Sequence, residues 1–137
     1  MIDERYCSLE LSLMLKQEGF DEICMSYYQT DAEKPEKVIV NSSWLVCNSD
    51  CQKYYKNIIA APTHQMAMDW IRENRGLHIG VLLNNDYPKK YEIHIVDTDA
   101  SDAVVLSTQE GVENYGKVCE IAIKHALKEW ISYEDII

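Results

Sequence analysis

The chain has 137 residues, of which 23 are acidic and 13 basic, for a net charge of −10, and 47% are hydrophobic. That length suits one compact domain or two small lobes, the hydrophobic share argues against a disordered chain, and the charge opposes binding to phosphate backbones, which rests on Lys and Arg. No run approaches the roughly 18 apolar residues of a membrane helix, and the opening MIDERYCSLE lacks the cationic-then-apolar order of a signal peptide.

A cytoplasmic protein is therefore expected. Its five cysteines, Cys7, Cys24, Cys47, Cys51 and Cys119, are expected to be reduced, since an odd number without a secretion signal points to free thiols.

A first helix is predicted from about Ser8 to Glu18. The Ser8 hydroxyl can accept from a free N–H of the first turn. Leu9, Leu11, Leu13, Met14 and Leu15 give it a broad apolar surface. Gly19 supplies a left-handed residue after the last turn, and Phe20 folds back onto it. Two strand-like runs follow, 23–29 (ICMSYYQ) and 38–47 (VIVNSSWLVC), joined by the charged loop TDAEKPEK with Pro35. Residues 48–53 (NSDCQK) read as a turn, and 54–60 (YYKNIIA) as either a short strand or an extended connector.

Pro62 and Thr63 open a second helix over 64–74, with Thr63 as its cap and Met66, Ala67, Trp70 and Ile71 on one face. Gly76 ends it. Two alternating strands come next. In 77–83 the residues Leu77, Ile79, Val81 and Leu83 share a face, and in 91–96 Tyr91, Ile93 and Ile95 do. A third strand covers about 103–107. The last helix runs from about Tyr115 to Ile131, with Asn114 as cap and a stripe of Tyr115, Cys119, Ala122, Ala126 and Trp130.

The expected fold is α+β, an antiparallel sheet packed by helices in the order α-β-β-(β)-α-β-β-β-α. Residues 1–60 supply a helix and a hairpin. Residues 61–137 supply an α-β-β-β-α unit. The first part either extends the sheet of the second or forms its own lobe, within one expected globule.

The α-β-β-β-α order resembles the double-stranded-RNA-binding domain. In that family the last helix opens with lysines that grip phosphates. The matching stretch here, 113–120 (ENYGKVCE), has Lys117 as its single basic residue. The resemblance is one of topology, and nucleic-acid binding is not expected. Three other segments, 9–22 (LELSLMLKQEGFDE), 61–73 (APTHQMAMDWIRE) and 115–131 (YGKVCEIAIKHALKEWI), resemble a family of small uncharacterised proteins from gut bacteria and their phages. The shared motifs are a leucine-rich helix ending in Gly-Phe-Asp, an Ala-Pro-Thr helix start followed by a Trp, and a closing amphipathic helix. That resemblance implies a fold and a phage or mobile-element origin, and no mechanism.

Two stretches invite a metal reading. Residues 97–102 (DTDASD) follow a strand, as catalytic carboxylates do in several phosphatases. However, too little chain remains after Asp102 for the rest of such an enzyme. A calcium loop needs Gly at its sixth position and Glu at its twelfth. Asp102 and Thr108 stand there. Asp97, Asp99 and Asp102 are thus read as residues of a polar turn, with casual cation binding or metal-dependent hydrolysis as the rival.

Cys47 and Cys51 are spaced as half of a zinc site. The other half would need His64 with His78, His94 or Asp50, and the thiols read more simply as small buried hydrophobes. His78 and His94 sit at alternate positions of neighbouring strands and are expected on the solvent side. His125 is expected on the outer face of the last helix. No glycine-rich phosphate loop is present, and no spacing selects a catalytic set, so no cofactor is expected.

Tyr27, Tyr28, Tyr54 and Tyr55 come in pairs. Neighbours in a strand point to opposite faces, so each pair is expected to give one core ring and one exposed ring. Exposed tyrosine is enriched at protein interfaces. The sequence thus favours a non-enzymatic, acidic protein-interaction module whose partner carries a basic surface.

Overall fold

The computed structural model describes residues 5–41, 43–84, 90–97, 103–107 and 114–131. The fold is α+β, and the chain divides between Thr63 and His64 into two compact units. The composition of the chain suggests a division after residue 60, three residues earlier.

The first unit opens with α1, Leu9–Gln17, and the Ser8 hydroxyl accepts from the Leu11 N–H at 3.1 Å. Gly19 closes it at φ 97°, a conformation that costs glycine nothing and side-chain-bearing residues a good deal. The Phe20 N–H then donates to the Leu15 carbonyl, and Phe20 is buried. Three short strands follow: β1, Ser26–Gln29; β2, Ile39–Val40; and β3, Ile58–Ala60. They form an antiparallel sheet in the order β2-β1-β3, with Tyr28 opposite Ile59 and Tyr27 opposite Ala60. Leu11, Leu15, Phe20, Tyr28 and Ile59 belong to the buried core.

The two predicted strands at 23–29 and 38–47 are shorter than their composition suggested. Cys24 and Val46 still form an isolated antiparallel bridge, closed by N–H···O bonds of 2.7 and 2.9 Å. The Asn41 N–H still donates to the Met25 carbonyl at 2.8 Å, and beyond it the second segment leaves the ladder until Val46. The Asn41 side chain accepts from the Ser43 N–H at 3.0 Å, and the Trp44 N–H donates to the Asn41 carbonyl. An asparagine that satisfies its own neighbours in this way competes with strand pairing.

The stretch expected as a turn at 48–53 is a helix, α2, Asn48–Tyr54. Its preceding residue, Cys47, makes no capping bond through its side chain. The cap comes from afar: an Asp21 carboxylate oxygen accepts from the Ser49 N–H at 2.7 Å. Asn48 is buried and ties down both neighbours. Its Nδ2 donates to the Phe20 carbonyl at 2.8 Å, and its Oδ1 accepts from the Ala60 N–H at 3.1 Å.

The second unit follows its predicted order. Helix α3, His64–Arg75, ends at Gly76 with φ 69°. A second antiparallel sheet follows in the order β4-β5-β6, with β4 Leu77–Asn84, β5 Lys90–Asp97 and β6 Ala103–Ser107. Helix α4, Tyr115–His125, is capped by Asn114, whose Oδ1 accepts from the Lys117 N–H at 2.7 Å. The straight helix expected to Ile131 instead widens to a π-helical turn over Ala126–Ile131.

One face of the sheet carries buried Leu77, Ile79, Ile93 and Ile95, and α3 and α4 pack on this sheet. From α3 the buried residues are His64, Ala67, Met68, Trp70 and Ile71, so Met68 takes the place expected for Met66. From α4 they are Val118, Cys119, Ala122 and Ile123. Tyr115, expected in that stripe, is exposed.

Candidate interaction surface

The four tyrosines do not split as pairs of one buried and one exposed ring. Tyr27 and Tyr28 are both buried, while Tyr54 and Tyr55 are 71% and 48% exposed. The reason is local. Tyr27 and Tyr28 do point to opposite faces of β1, but both faces are covered. The Tyr28 hydroxyl donates to the Cys7 carbonyl at 2.6 Å. Tyr27 is met by Trp44, which the Asn41 turn brings over it. Tyr54 and Tyr55 are not in a strand at all. They are the last residue and the C-cap of α2.

These rings form a chain. Tyr27 and Trp44 meet edge to face at 5.0 Å and 78°, Trp44 and Tyr55 at 5.2 Å and 83°, and Tyr55 and Tyr54 at 6.5 Å and 62°. Each edge places the positive rim of one ring against the negative face of the next, a favoured geometry for aromatic pairs. The chain runs from a buried ring to one that is mostly in water.

The first unit has further exposed apolar groups. In the Cys24–Val46 bridge those two residues share one face, and Ile23, Met25 and Leu45 take the other. All three are exposed. Trp44, absent from the sequence-based candidates, is the hinge of this surface. The run WLV read as strand interior, and only the Asn41 turn sends Trp44 elsewhere.

All five cysteines are free thiols, and Cys47 alone among them is not fully buried. Burial, followed by the neighbouring Cys47, pushes the Cys24 thiol up to about 12. Burial also raises Cys51, helped by Cys47 and opposed by Lys16. Burial raises Cys119 as well, against a hydrogen bond from Tyr115. Buried thiols of this kind are poor nucleophiles. Cys47 precedes α2, and Cys51 lies one turn further on, within the helix. Among the described residues, neither has two further His, Cys, Asp or Glu ligand atoms gathered with it.

Asp97 is the last residue of β5, opposite Leu77. Asp99 and Asp102 lie outside the described residues. His78 and His94 do share the face opposite the core, His78 across from Val96 and His94 across from Gly80. Glu92 approaches His94 at 3.2 Å. Yet Glu92 lies on the far side of His94 from His78, opposite Leu82. At about 3.3 Å per residue, the four-residue offset puts His78 and Glu92 too far apart to share one ion.

His64 lies in the second unit, and the Cys47 and Cys51 thiols lie in the first. It opens α3, is buried, and its Nε2 lies 3.0 Å from Glu120 Oε1 on α4. Lys124 Nζ stands 3.6 Å from the other Glu120 oxygen. The carboxylate thus faces two basic groups and clasps α3 to α4. The i, i+4 spacing of Glu120 and Lys124 was visible in the sequence, but the pairing with His64 required the packing of the two helices.

A cleft of about 500 Å³ opens between the end of α1 and the start of α2, with Lys16, Gly19, Phe20, Asp21, Asn48 and Ser49 in its lining. Asp21, Asn48 and the Ser49 N–H are engaged with one another's segments.

Among the described residues no helix is long and apolar enough to cross a membrane. Comparisons with family models, with curated proteins and with solved structures return no match.

Proposed function

We propose that the protein is a non-enzymatic protein-interaction module that docks through the aromatic face of its first unit. One observation carries this reading: the edge-to-face chain of Tyr27, Trp44, Tyr55 and Tyr54 leaves its last two rings 48% and 71% exposed. An exposed ring held in place by its neighbours has already lost much of its rotamer freedom. It therefore offers contact area at low entropic cost, the property that favours tyrosine in binding surfaces. The same unit also exposes Ile23, Met25 and Leu45.

The net charge of −10 selects for a partner with a basic rim and speeds encounter at low salt. Residence in the cytoplasm and carriage by a phage or mobile element fit this reading and the resemblance noted above.

Capture experiments with immobilised protein in host lysate at low salt test it. A partner retained by the native chain and by Leu82→Ser, but lost with the double change Tyr54→Ser and Tyr55→Ser, is the expected result. Retention by the double variant, or no partner at low salt, speaks against this surface.

A further inference from the structure

The second unit carries a sheet edge that its own strands leave open. In the order β4-β5-β6, β4 pairs with β5 on one side and, among the described residues, with nothing on the other. Its register against β5 is unbroken over the eight pairs from Leu77 to Asn84, so no bulge turns the edge away. Its sequence, LHIGVLLN, contains no Asp, Glu, Lys, Arg or Pro. Those features, with short strand length, are how proteins blunt such an edge. β4 uses none of them. The edge strands of the first sheet, β2 and β3, are two and three residues long and present almost no template. Near the distal end of β4, Leu82 and Leu83 are 56% and 50% exposed.

We propose that β4 pairs antiparallel with β4 of a second copy of this chain, joining two three-stranded sheets into one of six strands. Two points bear on a second copy as the partner. The first is charge: two molecules of net charge −10 repel each other, but β4 carries no Asp, Glu, Lys or Arg, so joining this edge brings no such side chains face to face.

The second point is self-complementarity. In antiparallel pairing only residues on the same face stand opposite each other, so a two-fold pairing centres on a residue. Centred on Gly80, it sets Ile79 against Val81, and Leu77 against the half-exposed Leu83, all on the face that α3 and α4 cover. His78 meets Leu82 on the other face. Every facing pair on the core side is then aliphatic. Gly80 itself offers no obstruction, since a Cβ there would have His94 Cβ, at 3.9 Å, as its nearest contact.

The test uses the full chain. Sedimentation across a micromolar concentration series is expected to show a monomer–dimer equilibrium. Leu82→Lys removes the apolar side chain that faces His78 of the second copy and puts on β4 the charge by which edge strands avoid pairing, and it is expected to weaken the dimer at least about tenfold. Leu82 is exposed, so the melting temperature of that monomer stays unchanged, which separates lost pairing from lost folding.

Hydrogen exchange supplies a second readout: protection of amides in 77–84 should fall on dilution in the native chain and be low throughout in Leu82→Lys. A chain that stays monomeric at high micromolar concentration overturns the proposal. So does a dimer that Leu82→Lys leaves intact, and so does protection of β4 that arises only with another protein's strand.

Discussion

Both units rest on a three-stranded antiparallel sheet, but they hold it together by different means. The strands of the first unit are two to four residues long. Side-chain bonds to the backbone fasten them to the rest of the unit. Asn48 bonds to Phe20 and Ala60, Tyr28 to Cys7, Ser26 to Ala61 and Asp21 to Ser49. The sheet of the second unit has strands of eight, eight and five residues and a layer of aliphatic side chains under two helices. A long alternating strand specifies its own face and register. A short one cannot, and polar pins must do it.

This contrast predicts which changes hurt where. The largest effect is expected from Ile93→Ala in the second unit, at about 3–4 kcal/mol, because a fully buried side chain leaves a cavity in an aliphatic layer. Chemical denaturation reads it as a lower urea midpoint, with hydrogen exchange rising first in 77–97.

In the first unit the comparable blow is polar. Asn48→Ala strands the Phe20 carbonyl and the Ala60 N–H in a buried place and is expected to cost about 2–3 kcal/mol. If Asn48→Ala proves near neutral, the idea that polar pins hold the first sheet fails. Tyr28→Phe removes one buried hydroxyl while keeping the ring and should cost about 1 kcal/mol in the same measurement.

A pH series sharpens the comparison further. The Cys24 thiol is held near 12 in the folded protein against an ordinary 9.0. The unfolded chain therefore gives up that proton first. The stability that Cys24 contributes is whole below the unfolded value and is lost as pH rises through the folded one. The urea midpoint of the native protein should fall more steeply from about pH 9 towards about pH 12 than that of Cys24→Ala.

Legibility in the sequence followed the same divide. In the second unit, Leu77, Ile79, Ile93 and Ile95 alternate strictly, and Asn114, Gly76 and the apolar stripe of α4 mark helix ends and faces. These are local signals, and the fold keeps them, with Cys119, Ala122 and Ala126 of the stripe buried and Tyr115 exposed. In the first unit, α1 was readable because Ser8 and Gly19 are local too.

Helix α2 was not readable. Asn, Ser and Asp in a row spell a turn, and the residue that caps the helix lies 28 positions away. The exposed aromatic surface was half readable. Tyr54 and Tyr55 stood out, whereas Trp44 was hidden inside what read as a strand. The clasp of His64 on Glu120 joins residues 56 positions apart and left no periodic trace.

The remote cap on α2 also sets an order of events. Seven residues are too few to hold a helix alone in water, since nucleation is costly and each added residue returns little. The segment 48–54 therefore stays coil until the Gly19–Asp21 turn has formed and come to rest beside it. The turn at the end of α1 is local and can form early. A nascent chain thus displays Asp21 with nothing to bind, and the helix that carries Tyr54 closes onto it as a late step. The aromatic surface is completed only when that step is done, so a first unit caught part-folded presents no finished docking face.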